Sequence, residues 1–494
     1  MMLQRITAYI MYITGLLIIT ITSIINLMII PRSYHNYLNK VALLWSVIIL
    51  IFNSLFVIIY SKNYNFQIFD HYLWLIKPSI LNWGNILITV DGISLFFILL
   101  SVLLIPICII MSWNAIDNLK REFLISLFII LLLLIGVFSV MDIIGFYILF
   151  EAILIPMFLI IGIWGSREEK VKAAFYFFFY TLIGSLLMLL SIFKIYSITG
   201  TTNYLNLIVI ELPSSLQFWL FIGFFASLSV KIPMIPFHIW LPQAHVEAPV
   251  SGSVLLAGIL LKLGGYGFIR FGYPLFPLAS EYFAPMIIIL SLVAIIYASF
   301  TTCRQTDIKR LIAYSSVSHM GLVTLAIFCH SKEGIIASII MMIAHGLVSS
   351  GLFMSSAVLY VRHHSRAIRY FRGVVTTMPI FSIITLILIL ANIGFPLTLN
   401  FIAEFLSILT AFNFSKFAGV LCCLGALMST VYALYFYNRV YFGSLSSHLK
   451  FSREMLEFEF QAFLPLLLIT IFLGLFPNLI LEFMISSSFI NISL

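Results

Sequence analysis

Charged residues are rare in this sequence. Its 494 residues include 26 lysines and arginines and 18 aspartates and glutamates, 9% of the chain, against 62% hydrophobic residues and a mean hydropathy of +1.15. No soluble domain carries so little polar surface, so the soluble classes are excluded. Cysteine is scarcer still. Cys108, Cys303, Cys329, Cys422 and Cys423 contain no CxxC pair, which leaves no ligand set for zinc or an iron–sulfur cluster, and they read as packing residues. A GxGxxG turn between a strand and a helix is also missing, so a dinucleotide cofactor has no cradle here. The formal charge of +8 is spread over short loops rather than gathered in a patch, which argues against nucleic acid. No connecting stretch is long enough to house a soluble catalytic domain.

What remains is an all-α, polytopic membrane protein. A window of about 20 residues, the length needed to cross a bilayer, finds about fourteen helices. Their approximate spans are 6–30, 41–60, 88–112, 122–140, 142–164, 172–198, 216–240, 249–270, 284–301, 308–329, 334–360, 375–412, 417–440 and 461–484. Met1 to Arg5 is too short for a long cleavable leader, so the first run reads as a membrane helix. Ser61 to about Val90 and the stretch near Leu445 to Gln461 are expected to rest on the membrane surface. Loops after odd-numbered helices hold seventeen lysines and arginines, and loops after even-numbered helices hold four. By the positive-inside rule the odd loops face the matrix or cytoplasm and both termini lie outside. These loop charges are expected to be solvated.

Arg5, Lys194, Lys231, Lys262 and Arg270 are left over. Arg5 and Arg270 sit at expected helix ends and should snorkel to the headgroups, an option open to Lys194 as well. Lys231 and Lys262 fall inside apolar spans, where a lysine costs about 2.5 to 3.5 kcal/mol on insertion scales. Between them, in KIPMIPFHIWLPQAHVEAPVSGSVLLAGILLK, Pro233, Pro236 and Pro242 withhold backbone donors and break helix seven. Membrane-depth backbone tolerates such a break only against protein or a watered cavity. Helix twelve is interrupted in the same way at Gly394 and Pro396. Glu151, Glu404, His319 and His345 lie at comparable depth on four other helices. His238 and His245 are expected to cap the broken helix or to share the following loop with Glu247.

Buried lysines, carboxylates and histidines at one depth make a proton relay. A lysine in apolar surroundings takes up or releases a proton as a neighbouring carboxylate moves, and histidine suits the stations between them. Ser315, Ser316 and Ser318 are placed to hold bridging water. Helices seven and twelve each carry a charge near a proline break, and helices six and eleven correspond through Tyr180, Gly184 and Ser185 against His345, Ser349 and Ser350. Five helices separate the members of each pair, which predicts two inverted five-helix repeats. The expected organisation is 1–120 (helices 1–3), 121–270 (first repeat), 271–441 (second repeat) and 442–494 (helix 14 and tail).

DGISLFF at Asp91, FYILFEAILIP at Glu151, the stretch from Lys231 to Gly267, DIKRLIAYSSVSHMG at His319 and AHGLVSSGLF at His345 resemble the antiporter-like membrane subunits of respiratory complex I, over about residues 90–440. In NFIAEF, Glu404 stands where sister subunits carry lysine. The resemblance implies that Glu151 modulates Lys231, that Lys262 and His319 continue a central axis, and that His345 links towards Glu404 as the terminal exchange site. It further implies that NADH, FMN, iron–sulfur clusters and ubiquinone belong to partner subunits, with no cofactor or metal in this chain. The expected partners are other membrane-arm subunits and membrane lipids. Two rivals stand beside it: a subunit of an Mrp-type multisubunit cation/proton antiporter, and a polytopic lipid-linked glycosyltransferase, which would need acidic surface loops this sequence lacks. With 47 Phe and 23 Tyr, the composition resembles that of an AT-rich organellar genome. The expected location is therefore the mitochondrial inner membrane, with plastid or bacterial membranes as alternatives.

Overall fold

A computed structural model describes residues 2–59, 70–73, 85–446, 448 and 452–488. Twelve helices among them are long and apolar enough to cross a membrane. Two further crossings, the seventh and twelfth, are broken, which brings the total to the expected fourteen. The seventh consists of Ser214–Lys231 and, beyond the break, Trp240–Glu247; the twelfth of Pro379–Asn392 and Leu399–Phe414. Among the described residues the only paired strands are Asp70–Leu73 and Asn85–Ile88, antiparallel. The rest of the stretch expected to lie on the membrane surface, 61–69 and 74–84, falls outside the described residues. So does the side chain of Arg5.

Helix starts follow side-chain chemistry. Asp91 accepts from the Ser94 amide while Ser94 Oγ accepts from the Asp91 amide, a reciprocal cap on the third crossing, Gly92–Ser112. Asp142, Asp307 and Ser331 cap the fifth, tenth and eleventh crossings. The breaks are equally local. In crossing seven the Val230 carbonyl, freed by the turn that follows Lys231, accepts from Trp240 Nε1 at 2.9 Å, so the second segment fastens the end of the first. In crossing twelve, Gly394 takes φ +75 and the chain turns through Pro396 before helix resumes at Leu399.

Several expected boundaries move. The fifth crossing is interrupted at Ile153, between Ile143–Ala152 and Leu154–Trp164, and the span expected at 461–484 is two helices, Glu457–Leu475 and Asn478–Ser488, parted at Pro477. The eighth crossing runs from Val250 to Leu275 rather than to 270, and is wound as π-helix at Leu256–Leu260 and Phe268–Gly272. That extension places Arg270 inside the protein, against expectation. It is 2% exposed and pairs with Asp91 at the head of crossing three, with Tyr266 beside it. Lys194, by contrast, is exposed on its helix. Solvated loops also prove too simple: Lys120, Lys309 and Arg366 are buried. Each bonds a backbone carbonyl, Trp113 O, Ala248 O and Val246 O respectively, so carbonyls near helix ends hold these charges.

Candidate functional site

The eighth, tenth, eleventh and twelfth crossings pack so that four of the six expected residues form one row. Lys262 is fully buried on crossing eight. In the π segment before it, the Leu261 amide bonds Leu256 O, five residues back, and thereby skips the Ala257 carbonyl. The Lys262 ammonium takes that carbonyl and also lies 2.9 Å from His345 Nδ1 on crossing eleven. Two glycines make this approach possible. A Cβ on Gly346 would stand 2.8 Å from Gly258 O and 2.8 Å from Leu100, so the two helices meet backbone to backbone. The His345 and His319 rings are 5.5 Å apart between centroids, and His319 Nδ1 is 3.5 Å from Glu404 Oε1.

The order differs from the expected one. His345 touches Lys262 and His319 touches Glu404, so the row runs Lys262, His345, His319, Glu404. Every member is buried. His345 Nε2, both His319 nitrogens and Glu404 Oε1 lack a hydrogen-bond partner among the described atoms. Such groups are costly to leave unused in a protein interior. The serines flanking His319 turn inward to their own helix instead: Ser315 and Ser316 bond Ile312 O and Ser318 bonds Ser315 O.

Glu151 and Lys231 form a second, looser group. Lys231 is buried at the end of the first segment of crossing seven, and its ammonium rests 4.3 Å from the centroid of the Phe150 ring. Among the described residues it makes no ion pair within 4.0 Å with Glu151, the next residue along from that ring. Ser185 and Tyr147 lie beside the Glu151 carboxyl, whose Oε1 is buried and unpartnered. The two charges are neighbours without being joined.

Sequence reasoning missed several polar neighbours. Asn392, the last residue before the break of crossing twelve, lies against both His319 and Tyr432. Asn400 is buried one helical turn before Glu404 with neither amide atom partnered. The Glu404 carboxylate fills the space that a side chain on Gly394 would need. A lone amide in an apolar helix, at i−4 from a candidate carboxylate, is the signal that would have found Asn400. His245 sits in the helix after the break of crossing seven, fully buried, stacked 4.5 Å over Phe353 with both nitrogens unpartnered. His238 packs edge-on to Tyr297 and Tyr314. Among the described residues no three histidines, cysteines or carboxylates converge as a metal site.

Comparison with known proteins places the chain in one family. Residues 140–429 match the family described as NADH:quinone oxidoreductase/Mrp antiporter, TM. NADH-ubiquinone oxidoreductase chain 4 of Metridium senile is 55% identical over 460 residues, covering 93% of this chain and 94% of the relative. A chain of the Thermus thermophilus respiratory complex I structure with bound NADH superposes with a TM-score of 0.86 at 26% identity, covering 97% of this chain and 99% of that one. A chain of the Mrp complex from Dietzia sp. shares the fold, with a TM-score of 0.87 at 17% identity over 96% of this chain and 97% of its own. On the family match and the extent of identity, this chain belongs to the NADH:quinone oxidoreductase/Mrp antiporter family and, within it, to the NADH-ubiquinone oxidoreductase chain 4 proteins.

Proposed function

We propose that this chain translocates protons as an antiporter-like subunit of respiratory complex I, with Glu151, Lys231, Lys262, His345, His319 and Glu404 as its relay. The observation that carries the reading is the buried row from Lys262 through His345 and His319 to Glu404, in which each side chain lies beside the next. A proton on the Lys262 ammonium passes to His345 Nδ1 along the 2.9 Å contact, provided that ring carries its proton on Nε2. Loss of the Nε2 proton towards His319 moves the charge on, and His319 Nδ1 delivers it to the Glu404 carboxylate. Glu151, apart from Lys231 but near it, biases the first lysine through space. The two five-helix units, 121–270 and 271–441, would each supply half of this path.

NADH, FMN, iron–sulfur clusters and ubiquinone are assigned to partner subunits, so this chain receives its driving force from a neighbouring membrane-arm subunit. The mitochondrial inner membrane is the assigned location, with the basic loops in the matrix. An Mrp-type antiporter shares the fold, but 55% identity to a chain 4 protein over nearly the whole length favours complex I.

The relay is tested by Lys231→Ala and Glu404→Ala in the assembled complex. Each should suppress proton pumping and slow coupled quinone reduction while leaving assembly intact; an unchanged proton-to-electron ratio in both variants would refute the assignment. Gly394→Ala probes the terminal station without touching an ionisable group. Its methyl group adds about 1–2 kcal/mol of backbone strain at positive φ and pushes the Glu404 carboxylate off its seat. The expected result is a severalfold lower ratio, measured in sealed vesicles, at near-normal complex abundance.

A further inference from the structure

On the face that carries the basic loops, a cleft of about 430 Å³ opens between the ends of crossings three, five and eleven and the starts of crossings eight and ten. Lys309, His364 and Arg366 line it, and no carboxylate does. Lys309 and Arg366 are 4% and 5% exposed. Glu247 and Asp307 lie near these cations but outside the lining. Burial first, and then the neighbouring Arg167, pull the Arg366 guanidinium below its ordinary value, against the opposing effect of Asp307, Tyr360 and Glu247. Ser251 also lines the cleft, and its buried hydroxyl has no partner. One wall is apolar. Met111, Val250, Ala357 and Val361 continue into a second cavity of about 320 Å³, whose far end reaches Arg362, already paired with Glu459, together with Arg453 and Glu454.

A pocket with a cationic head, an unpaired hydroxyl and an apolar floor, set between membrane helices on the positive side, has the chemistry of an anionic amphiphile. We propose that the cleft holds one anionic phospholipid, its phosphate between Lys309, His364 and Arg366 and an acyl chain along the floor shared by the two cavities. Free phosphate would leave that floor empty. The same two cations hold Ala248 O at 2.6 Å and Val246 O at 2.5 Å, at the end of the helix that follows the break of crossing seven. A lipid phosphate therefore steadies the residues that steady the broken helix, independently of how the relay works.

The test is photolabelling of the intact complex, reconstituted in phosphatidylcholine vesicles, with a phosphatidylglycerol probe carrying a diazirine in its acyl chain. Label is expected on peptides containing residues 111–116 or 356–364, at least fivefold more than with a phosphatidylcholine probe, and undisturbed by inorganic phosphate. Ala357→Phe, which fills the floor, should remove it. His364→Gln, at an exposed position, should reduce the preference for the anionic probe. Equal labelling by the neutral probe, displacement by phosphate, unchanged labelling in both variants, or a crosslink to a neighbouring subunit's polypeptide in the cleft would each overturn the proposal.

Discussion

A complex carrying Lys262→Met should assemble at least as well as the natural one and pump about two orders of magnitude fewer protons. The two halves of that expectation have opposite physical causes. An ammonium buried at mid-membrane is a stability liability, and replacing it by an apolar side chain of similar length removes a desolvation cost. The same change removes the donor that bridges Ala257 O and His345 Nδ1. Loss of a positioned proton-transfer group costs on the order of 10²–10⁴ in rate. Electron transfer from NADH to a soluble acceptor should be unaffected, while coupled quinone reduction slows. Pumping at the natural proton-to-electron ratio would remove Lys262 from the mechanism. A loss of the assembled complex would show instead that the lysine holds the helices together.

Arg270→Met should have the reverse outcome, destroying assembly before function can be measured. Asp91 would be left buried without its counter-charge, and breaking such a pair from one side costs roughly 3–5 kcal/mol. A loss of that size lowers the abundance of a marginally stable membrane subunit severalfold. The diagnostic variant is the double one. Asp91→Asn keeps an N-cap for crossing three and removes the charge, so Asp91→Asn with Arg270→Met should restore much of the complex on native gels. Equal abundance of the single and natural proteins would mean that the pair is not a structural clasp.

The crossings, the two breaks and the six buried ionisable residues of the proposed relay could be picked out in the sequence because each has a local signature: a long apolar run, a proline or glycine within it, a charge where lipid depth forbids one. Arg270 could not. Reading its helix as ending at 270 placed it among headgroups, whereas the two π segments and the extension to Leu275 draw it inward. Its partner lies 179 residues away. Lys309 and Arg366 were hidden for another reason. Their partners are backbone carbonyls at the end of a helix, and a carbonyl leaves no mark in the sequence. The order of His345 and His319 was equally beyond reach. Periodicity gives the face of a helix on which a side chain lies, but the pairing of faces between helices was set by the close approach at Gly258 and Gly346.

Lys231 lies over Phe150 rather than in the grip of Glu151, and this has a quantitative result. For an effective dielectric constant of about 20, widening the gap between two unit charges from about 5 to about 8 Å alters their attraction by about 1 kcal/mol. That is close to a tenfold change in proton affinity. A clamped ion pair would resist such a displacement through its hydrogen bonds, whereas an aromatic surface lets the ammonium slide. In the proposed relay, tilting one helix by about the thickness of a methyl group would then be enough to change the proton affinity of Lys231 about tenfold.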